Sequence, residues 1–317
     1  MEYRQLGQTG LKLSILGFGA SGLGDVFGNI DESDGIRAVH TAIDLGINFI
    51  DVSPYYGLTK AERVLGTALK QIPRDAYYLA TKVGRYGERD FDFSAARVIA
   101  SVDESLKRLH VDYIDIIQCH DIEFGSLDQI INETIPALRD LQQTGKVRYV
   151  GISGLPLSVL HYVAQNSEID TVLSYCHYTL NDTSMLKLIP YLKEWQIGVI
   201  NASPFGMGLL TENKVPAWHP ASAEIKAACA EAAQYCRSKG VAIAQLALQF
   251  SIANADITTT LVGITNPDQI KANVQCVGQA LNQELLAEVQ HILAPIRDVS
   301  WPSGREHDKE FQFTIYG

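Results

Sequence analysis

The sequence predicts a (β/α)8 or TIM barrel, an α/β fold in which eight parallel strands each lead into a helix. The first observation is that short β-type runs alternate with longer amphipathic segments along the whole chain. The second is that no segment rich in Ser, Pro or Gly interrupts this alternation, so nothing marks a domain boundary. A length of 317 residues suits one such barrel. We therefore expect a single domain over residues 1–317.

Eight apolar runs have the length and residue types of buried strands. They are Ile15–Phe18, Asn48–Asp51, Tyr77–Lys82, Tyr113–Gln118, Val147–Ile152, Thr171–Ser174, Gly198–Asn201 and Thr259–Val262. Because neighbouring parallel strands need a crossover connection, a helix is expected between consecutive strands.

Two of the intervening segments show the helical pattern clearly. Ala95–Leu109 carries apolar side chains at helical spacing, and the Ala-rich segment Ile225–Lys239 is closed by Gly240, a residue type that often ends helices. Ser94 and Asp34 are predicted N-caps, because short polar side chains can accept hydrogen bonds from the first free N–H groups of a helix.

Two further elements are predicted outside the eightfold pattern. Tyr3–Leu6 and Leu11–Ser14 flank a turn that ends at Gly10, and they are predicted to form a β-hairpin that plugs one end of the barrel. Asn282–Leu293 is predicted to be an extra C-terminal helix.

Composition and charge exclude several classes of protein. Hydrophobic residues make up 46% of the chain and charged residues 20%, which is typical of a packed globular protein. A net charge of −10 without a basic stripe disfavours binding to nucleic acid or anionic membranes. No apolar run approaches the roughly 18 residues that span a bilayer. The sequence does not indicate an oligomeric state.

The cysteines indicate the compartment. Five cysteines are scattered without any C-x-x-C spacing, which is typical neither of a disulfide framework nor of a zinc site. We therefore expect a reducing compartment, with the cytoplasm as the predicted location.

Ionisable residues close three of the predicted strands. Asp51 ends the second strand in FIDVSPYYG, Lys82 ends the third in LATKVG, and His120 ends the fourth in DIIQCHD. Tyr56 lies shortly after Asp51. Because the carboxyl ends of all strands meet at one face of a TIM barrel, where its active sites lie, these four side chains are the candidate catalytic residues.

These residue types suit hydride transfer between a carbinol carbon and a nicotinamide, because that reaction also needs a proton carrier at the oxygen. Tyr56 is the candidate carrier, and a cationic Lys82 would lower the pKa of its phenol from about 10. Asp51 would keep the lysine charged, and His120 would donate a hydrogen bond to the substrate oxygen. Tyr55 is an alternative carrier that residue type alone does not exclude.

The motifs DVSPYYG, TKVG and QCHD resemble those of the aldo-keto reductase superfamily, whose members share an Asp-Tyr-Lys-His tetrad in this order. The resemblance covers the whole chain and continues in GKVRYVGIS, ASPFGMGLLT and LVGITNPDQIKANV. It implies that Tyr56 rather than Tyr55 is the proton carrier, and that a nicotinamide nucleotide is the cofactor.

Within this superfamily, the strings GFGASGLGDVFG, HDIEFGSLDQIINETIPAL and LSYCHYTLND resemble those of the dehydrogenases that act on L-galactose. The resemblance implies NAD-dependent oxidation of the anomeric carbon of an aldose, with L-galactose converted to its lactone. L-fucose and D-arabinose are alternative substrates, and NADPH-dependent reduction of aldehydes is an alternative activity. A non-catalytic nucleotide-binding subunit is disfavoured because the tetrad is intact.

By the same resemblance, a further set of residues is expected to hold the cofactor. Ser153 would approach the nicotinamide amide, and a Gly-containing loop would fold over the pyrophosphate. The residues of that loop are Ser203, Phe205, Gly206 and Met207. Contacts after the eighth strand are expected from Gly263, Thr265, Gln269 and Asn273.

The charges after the eighth strand favour NAD over NADP. A 2′-phosphate is recognised by cationic or bidentate groups, but Gly263 and Gln269 occur where NADP-using relatives commonly have Lys and Arg. Asp268 adds a negative charge, and Lys271 is the only cation nearby in the sequence.

The chain departs from the common pattern of the superfamily at two positions. Tyr175 occurs where many relatives have a glutamine, and Ala202 occurs where many have a tyrosine that stacks on the nicotinamide. Tyr178 is therefore the predicted stacking or substrate-contacting residue.

Several polar residues are candidate ligands for the hydroxyl groups of the substrate. Ser21 and Asp25 belong to the loop after the first strand, and Asp121 follows His120. His177 and His219 are either substrate contacts or ordinary loop histidines.

Two short motifs suggest other enzymes. The GxGxxG match at residues 17–22 is typical of dinucleotide-binding βαβ units, but here a loop continues to about Asp34 instead of a helix opening at once. The YxxxK match at residues 56–60 lies too close to that glycine loop for a short-chain dehydrogenase. A metal-dependent hydrolase would need more ligands, and Lys82 would repel a cation, so no metal is expected.

Overall fold

The computed structural model describes residues 1–305, which form a closed barrel of eight parallel strands surrounded by helices. Around the barrel the strands run in chain order, and the last strand pairs with the first. The barrel strands are β3 (Leu16–Gly19), β4 (Phe49–Asp51), β5 (Tyr78–Val83), β6 (Ile114–Cys119), β7 (Val147–Gly154), β8 (Thr171–Tyr175), β9 (Gly198–Ala202) and β10 (Thr259–Gly263). The predicted fold class and all eight predicted strands are therefore confirmed, each with ends that agree within two residues.

Helices fill the connections between strands. They are α1 (Glu32–Asp44), α2 (Lys60–Leu69), α3 (Ala95–Leu109), α4 (Leu127–Gln129), α5 (Ile135–Gln143), α6 (Leu157–Asn166), α7 (Ile189–Glu194), α8 (Ala223–Ser238), α9 (Ile243–Ala253), α10 (Pro267–Gln275) and α11 (Gln283–Ile292). A π-helical turn at Ile130–Thr134 joins α4 to α5. The helices predicted from the amphipathic patterns, including the extra C-terminal one, correspond to α3, α8 and α11.

The two predicted helix caps have different outcomes. Asp34 is not a cap: α1 begins at Glu32, and the side chain of Asp31 accepts hydrogen bonds from the N–H groups of Ser33 and Asp34. Ser94 does precede α3, but its side chain makes no capping bond. A carboxylate from elsewhere in the fold, that of Glu133, accepts the bond from the N–H at the start of α3, over 2.7 Å.

The predicted hairpin closes the amino-terminal end of the barrel. It consists of β1 (Tyr3–Gln5) and β2 (Lys12–Ser14), which pair antiparallel. Leu6, Leu11 and Leu13 are buried in one cluster with inward-facing residues of the strands. The plug packs so closely that a Cβ at Gly198 would lie 2.5 Å from the Leu6 side chain. Any cavity inside the barrel must therefore open at the carboxyl end of the strands.

At that carboxyl end, connecting loops surround an opening. The loop after β3 begins with a short 3₁₀ helix at Ala20–Gly24 and leads to α1, and the closed barrel rules out the dinucleotide-binding βαβ interpretation of its glycines. Within residues 1–305, no helix has the length and apolar character that crossing a bilayer requires.

Candidate active site

A cavity of about 500 Å³ opens at the carboxyl end of the barrel. Asp51, Tyr56, Lys82 and His120 all line it. The strand ends bring three of them together: Asp51 is the last residue of β4, Lys82 is the penultimate residue of β5, and His120 directly follows β6. The structure thus places the four candidate catalytic residues at one site.

Lys82 is the centre of the polar network in this cavity. Its side chain is 1% exposed, and its ammonium group donates to Asp51 Oδ1, to the carbonyl of Val52 (2.9 Å) and to the hydroxyl of Tyr56 (3.3 Å). These three acceptors match the three donors of an ammonium group. Asp51 raises the pKa of Lys82 against the opposing effect of burial, which keeps the lysine charged.

The loop after β4 fixes the position of Tyr56. The φ angle of Gly57 is +60°, and a Cβ there would lie 2.3 Å from the carbonyl oxygen of Gly24. Only glycine permits this close backbone approach between the loops that follow β3 and β4. The Tyr56 N–H also donates to the carbonyl of Ser53 over 3.1 Å, so the backbone that carries the phenol is fixed on both sides of Tyr56.

His120 is oriented by neighbours of both ring nitrogens. Its Nδ1 lies 3.0 Å from the hydroxyl of Ser53, and its Nε2 lies 3.5 Å from Asp121 Oδ2. A carboxylate beside Nε2 favours the tautomer that carries the proton there, because an ionised carboxylate only accepts. Burial, with the charges of Lys82 and Arg85, lowers the pKa of His120 well below its ordinary value. The imidazole is therefore a neutral donor at physiological pH.

The pKa of Tyr56 corrects one expectation. Burial raises the pKa of the phenol above its ordinary value, and this effect exceeds the lowering by Lys82. Asp51 and Asp121 also raise the pKa of Tyr56. Reasoning from the sequence considered the lysine but not the desolvation and the two carboxylates.

Gln118 is a site residue that the sequence reasoning missed. It is fully buried in β6, and its side-chain Nε2 donates to Asp51 Oδ2 over 2.9 Å. Its own Oε1 has no partner among residues 1–305. The signal was a polar residue near the end of a largely apolar strand, two positions before His120 and therefore on the same face as it.

Only some of the residues expected at the cofactor line the cavity. Ser153, Ser203, Met207 and Gly263 line it, whereas Phe205 packs into the adjoining hydrophobic clusters.

Backbone geometry shapes the loop after β9. Ser203 (φ 57°), Gly206 (φ 56°) and Met207 (φ 54°) adopt left-handed conformations, and His219 Nε2 donates to the carbonyl of Gly206 over 2.9 Å. Successive N–H groups in such a loop form a concave surface that suits phosphate oxygens. In this loop, however, the N–H groups of Ser203 and Gly206 already donate to the carbonyls of Leu261 and Ser203.

Of the contacts expected beyond β10, Thr265 precedes α10, and Gln269 and Asn273 belong to it. Gln269 Oε1 accepts bonds from the N–H and the hydroxyl of Thr265, over 2.9 and 3.1 Å, and Asn273 is half-buried one turn later.

A shallow depression beside this helix is lined by a positively charged side chain that the sequence reasoning missed. Arg37 of α1 lines it together with Lys271, so Lys271 is not the only cation near the start of α10. Arg37 forms an ion pair with Asp34, and Lys271 lies 3.5 Å from Asp268. Each cation is therefore beside an acidic partner.

Of the residues predicted to bind substrate hydroxyls, Ser21 and Asp121 line the cavity. Asp25 was predicted wrongly, because its carboxylate accepts from Lys60 Nζ (2.6 Å) and from the Ile30 N–H (3.0 Å) outside the cavity.

Tyr178 was also predicted wrongly. Its ring is 7% exposed and stacks on Phe250 of α9, with ring centroids 5.0 Å apart. It therefore packs behind the barrel wall and cannot stack on a cofactor in the cavity.

His177 and His219, for which the sequence allowed two roles, stabilise loops. His177 Nδ1 lies 3.2 Å from Asp182 Oδ2 and 3.0 Å from the Ser184 hydroxyl. His219 binds the Gly206 carbonyl and accepts from the N–H of Ala221. Neither lines the cavity. In the described part of the chain, no group of three or more His, Cys, Asp or Glu is arranged to hold a metal.

Further residues of the cavity were not among the predicted site residues. Arg85, from the loop after β5, forms an ion pair with Asp121, and Tyr175 lies at the end of β8. Residues 301–304, near the end of the described chain, also line the cavity. Arg85 and residues 301–304 lie in a loop or far along the chain, so no local pattern marks them, and Tyr175 was noted only as a departure from the superfamily pattern.

Comparisons with known proteins agree with this geometry. The Aldo/keto reductase family model matches residues 15–294. An L-galactose dehydrogenase from Arabidopsis thaliana is 54% identical over 96% of this chain and 98% of its own length. A D-arabinose 1-dehydrogenase from Saccharomyces cerevisiae is 33% identical over 73% of this chain and 72% of its own length. An aldo-keto reductase structure from Bacillus halodurans, in a holo form, has a TM-score of 0.77 at 31% identity, covering 96% of this chain and 98% of that one.

Proposed function

Because this chain belongs to the aldo/keto reductase family, we propose that it is an NAD-dependent sugar dehydrogenase that oxidises the anomeric carbon of L-galactose to the lactone. Membership of the family makes it an oxidoreductase that acts on CH–OH groups with a nicotinamide nucleotide. The observation that carries the proposal is the 54% identity to the L-galactose dehydrogenase over nearly the whole of both chains. The D-arabinose 1-dehydrogenase among the relatives supports the same reaction class.

A bound nicotinamide would accept the hydride that leaves the anomeric carbon. The proton of the anomeric hydroxyl passes to the Tyr56 oxygen, which therefore acts as the base in oxidation and as the acid in the reverse direction. The adjacent Lys82 ammonium, 3.3 Å away, stabilises the ionised phenol at the moment it accepts the proton.

Asp51 and His120 complete the set of roles. Asp51 holds the Lys82 ammonium in place through their buried ion pair. The neutral His120 lines the cavity, and its Nε2–H would donate a hydrogen bond to the reacting oxygen. This bond orients the anomeric hydroxyl and stabilises the negative charge that develops on its oxygen.

The cofactor would occupy the side of the cavity that Ser153, Ser203, Met207 and Gly263 line. Ser153 would contact the nicotinamide amide, and the left-handed loop from Ser203 to Met207 would bind the pyrophosphate. Gly263, Thr265, Gln269 and Asn273 would face the adenosine.

Charge favours NAD over NADP as this cofactor. Arg37 and Lys271 are the two cations near α10. Each already lies beside an acidic side chain, Asp34 or Asp268, which would compete with a 2′-phosphate for the cation.

We further propose that residues 1–317 form one domain and that the protein functions in the cytoplasm. The described part of the chain is one closed barrel, and all five cysteines are buried and unpaired. Unpaired cysteines suit a reducing compartment.

The test is the rate of NADH and NADPH formation with L-galactose, L-fucose, D-arabinose, L-gulose and D-galactose. We expect efficient turnover with NAD and with L-galactose or the sugars that share its ring configuration. NADPH-dependent reduction of simple aldehydes, without oxidation of any of these sugars, would contradict both the substrate and the cofactor assignments.

A further inference from the structure

We propose that Asp121 and Arg85 form the subsite that recognises the hydroxyl group on C2 of the aldose, next to the reacting carbon. The inference rests on the proposed function, because it assigns one position of the substrate to one pair of residues. Both residues line the cavity, and neither takes part in the proton transfer.

Asp121 is placed directly beside the histidine. It follows His120 in the chain, and its backbone has a φ of 50°, a conformation that non-glycine residues rarely adopt. Its carboxylate is 4% exposed, and Oδ2 lies 3.5 Å from His120 Nε2. The acceptor oxygen of Asp121 therefore neighbours the donor assigned to the reacting oxygen.

Arg85 holds this carboxylate from the other side. It forms an ion pair with Asp121, and its guanidinium lies 3.7 Å from the centroid of the Tyr55 ring. The rings of Phe91 and Phe124 lie 5.3 and 5.7 Å away. An ion pair enclosed by aromatic rings has little freedom to rearrange, so its acceptor and donors are preorganised for a ligand.

The distances match a sugar ring. When His120 Nε2 donates to the oxygen on C1, the oxygen on C2 lies roughly 3 Å further, about the length of a hydrogen bond. The spacing of 3.5 Å between Nε2 and Asp121 Oδ2 therefore places the carboxylate next to the C2 hydroxyl.

The chemistry of the pair identifies this hydroxyl among the neighbours of C1. The other neighbouring oxygen is the ring oxygen, which has no proton to donate to a carboxylate. A hydroxyl can donate to Asp121 and accept from Arg85, so it satisfies both members of the pair. The pair thus selects a hydroxyl on C2.

The first experiment needs no variant. It compares kcat/KM of the unmodified enzyme for L-galactose, 2-deoxy-L-galactose and L-fucose, which lacks only the C6 hydroxyl. We expect loss of the C2 hydroxyl to lower kcat/KM by about 10- to 100-fold, the range for a hydrogen bond to a charged group, and loss of the C6 hydroxyl to have a smaller effect. Equal use of L-galactose and its 2-deoxy analogue would overturn the inference.

The second experiment couples the hydroxyl to the residues. In Asp121→Asn and Arg85→Met, we expect the 2-deoxy penalty to shrink by about tenfold, because the variants have already lost the partner of that hydroxyl. Asp25→Asn is the matched control, since Asp25 is also an ion-paired aspartate but lies outside the cavity. An unchanged 2-deoxy penalty in both variants would contradict the proposal.

Two further measurements separate the possible failures. Arg85→Lys retains the positive charge beside Asp121. The affinity of each variant for NADH shows whether its cofactor site is intact. If the unmodified enzyme does not oxidise L-galactose, the proposed function fails and the inference fails with it. If it oxidises L-galactose but the 2-deoxy penalty is unchanged in the Asp121 and Arg85 variants, the inference alone fails.

Discussion

The side-chain amide of Gln118 donates to Asp51 Oδ2 over 2.9 Å, while Asp51 Oδ1 binds the ammonium of Lys82. Burial raises the pKa of Asp51, and the bonds from Lys82 and Gln118 lower it. Gln118 therefore helps to keep the carboxylate ionised, and the carboxylate in turn holds the lysine against the phenol of Tyr56.

Gln118→Met should move the acidic limb of the pH–activity profile to higher pH. The net raised pKa of Asp51 means that activity falls as pH decreases through that pKa, and removing the amide raises the pKa further. The measurement is kcat/KM for L-galactose as a function of pH. An acidic limb at the same pH as in the unmodified enzyme would show that Gln118 only fills space.

Tyr56→Phe should reduce kcat by roughly 100- to 10,000-fold, the range for losing a general acid–base catalyst. Affinity for NADH should change little, because the hydroxyl contacts Lys82 rather than the proposed nucleotide side of the cavity. Tyr55→Phe is the matched control, since the adjacent ring also lines the cavity. Comparable losses in the two variants would refute the assignment of the proton carrier to Tyr56.

The strand-end residues could be predicted from the sequence because the fold determines where they lie. In a parallel barrel, a charged residue that closes an apolar strand must point towards the open face, and this places Asp51, Lys82 and His120 together. The same reasoning does not reach Arg85, whose position depends on how its loop folds against Tyr55. It also failed for Tyr178, which packs on α9 rather than in the cavity.

The energetics were harder to predict than the positions. The sequence supplies a lysine beside a phenol but not the depth at which both are buried. Desolvation therefore reversed the expected direction of the pKa shift at Tyr56.

That reversal predicts a pH dependence for the oxidation. Because burial raises the pKa of Tyr56, the ionised phenol is a small fraction at neutral pH. The rate of sugar oxidation should rise as pH increases towards and beyond about 10, the ordinary pKa of a phenol, while the reverse reduction should slow. Initial rates in both directions across this range test the prediction. An oxidation rate independent of pH would mean that proton transfer to Tyr56 does not limit the reaction.

Gln269→Arg should raise the efficiency with NADP relative to NAD by about tenfold, because it adds a bidentate cation at the start of α10. The substitution also removes the bonds that Gln269 accepts from Thr265. Gln269→Met is therefore the control, since it removes those bonds without adding charge. The ratio of kcat/KM for the two cofactors is the measurement, and an equal ratio in both variants would place the 2′-position elsewhere.

The buried carboxyl group of Glu123 should make the stability of the protein, rather than its activity, depend on pH. Its carboxyl group is 1% exposed, and Oε1 accepts from the Leu155 N–H (3.1 Å) and the Ser303 hydroxyl (2.8 Å). Oε2 has no hydrogen-bond partner within residues 1–305. Burial, together with the nearby Asp121, raises the pKa of Glu123 to about 8. The folded protein therefore holds a proton here that the unfolded chain releases above its ordinary pKa of 4.5.

Between these two pKa values the folded state binds more protons than the unfolded state, so the stability that Glu123 contributes is complete below 4.5 and is lost as pH rises to about 8. Glu123→Gln removes this proton while keeping the shape of the side chain. As pH rises between these two pKa values, the free energy of unfolding of the unmodified protein should therefore fall relative to that of the variant, by up to about 1.4 kcal/mol per pH unit. Urea titrations at several pH values measure the difference, which should level off above the folded pKa. Parallel curves across the window would mean that Glu123 has the same pKa in the folded and unfolded states.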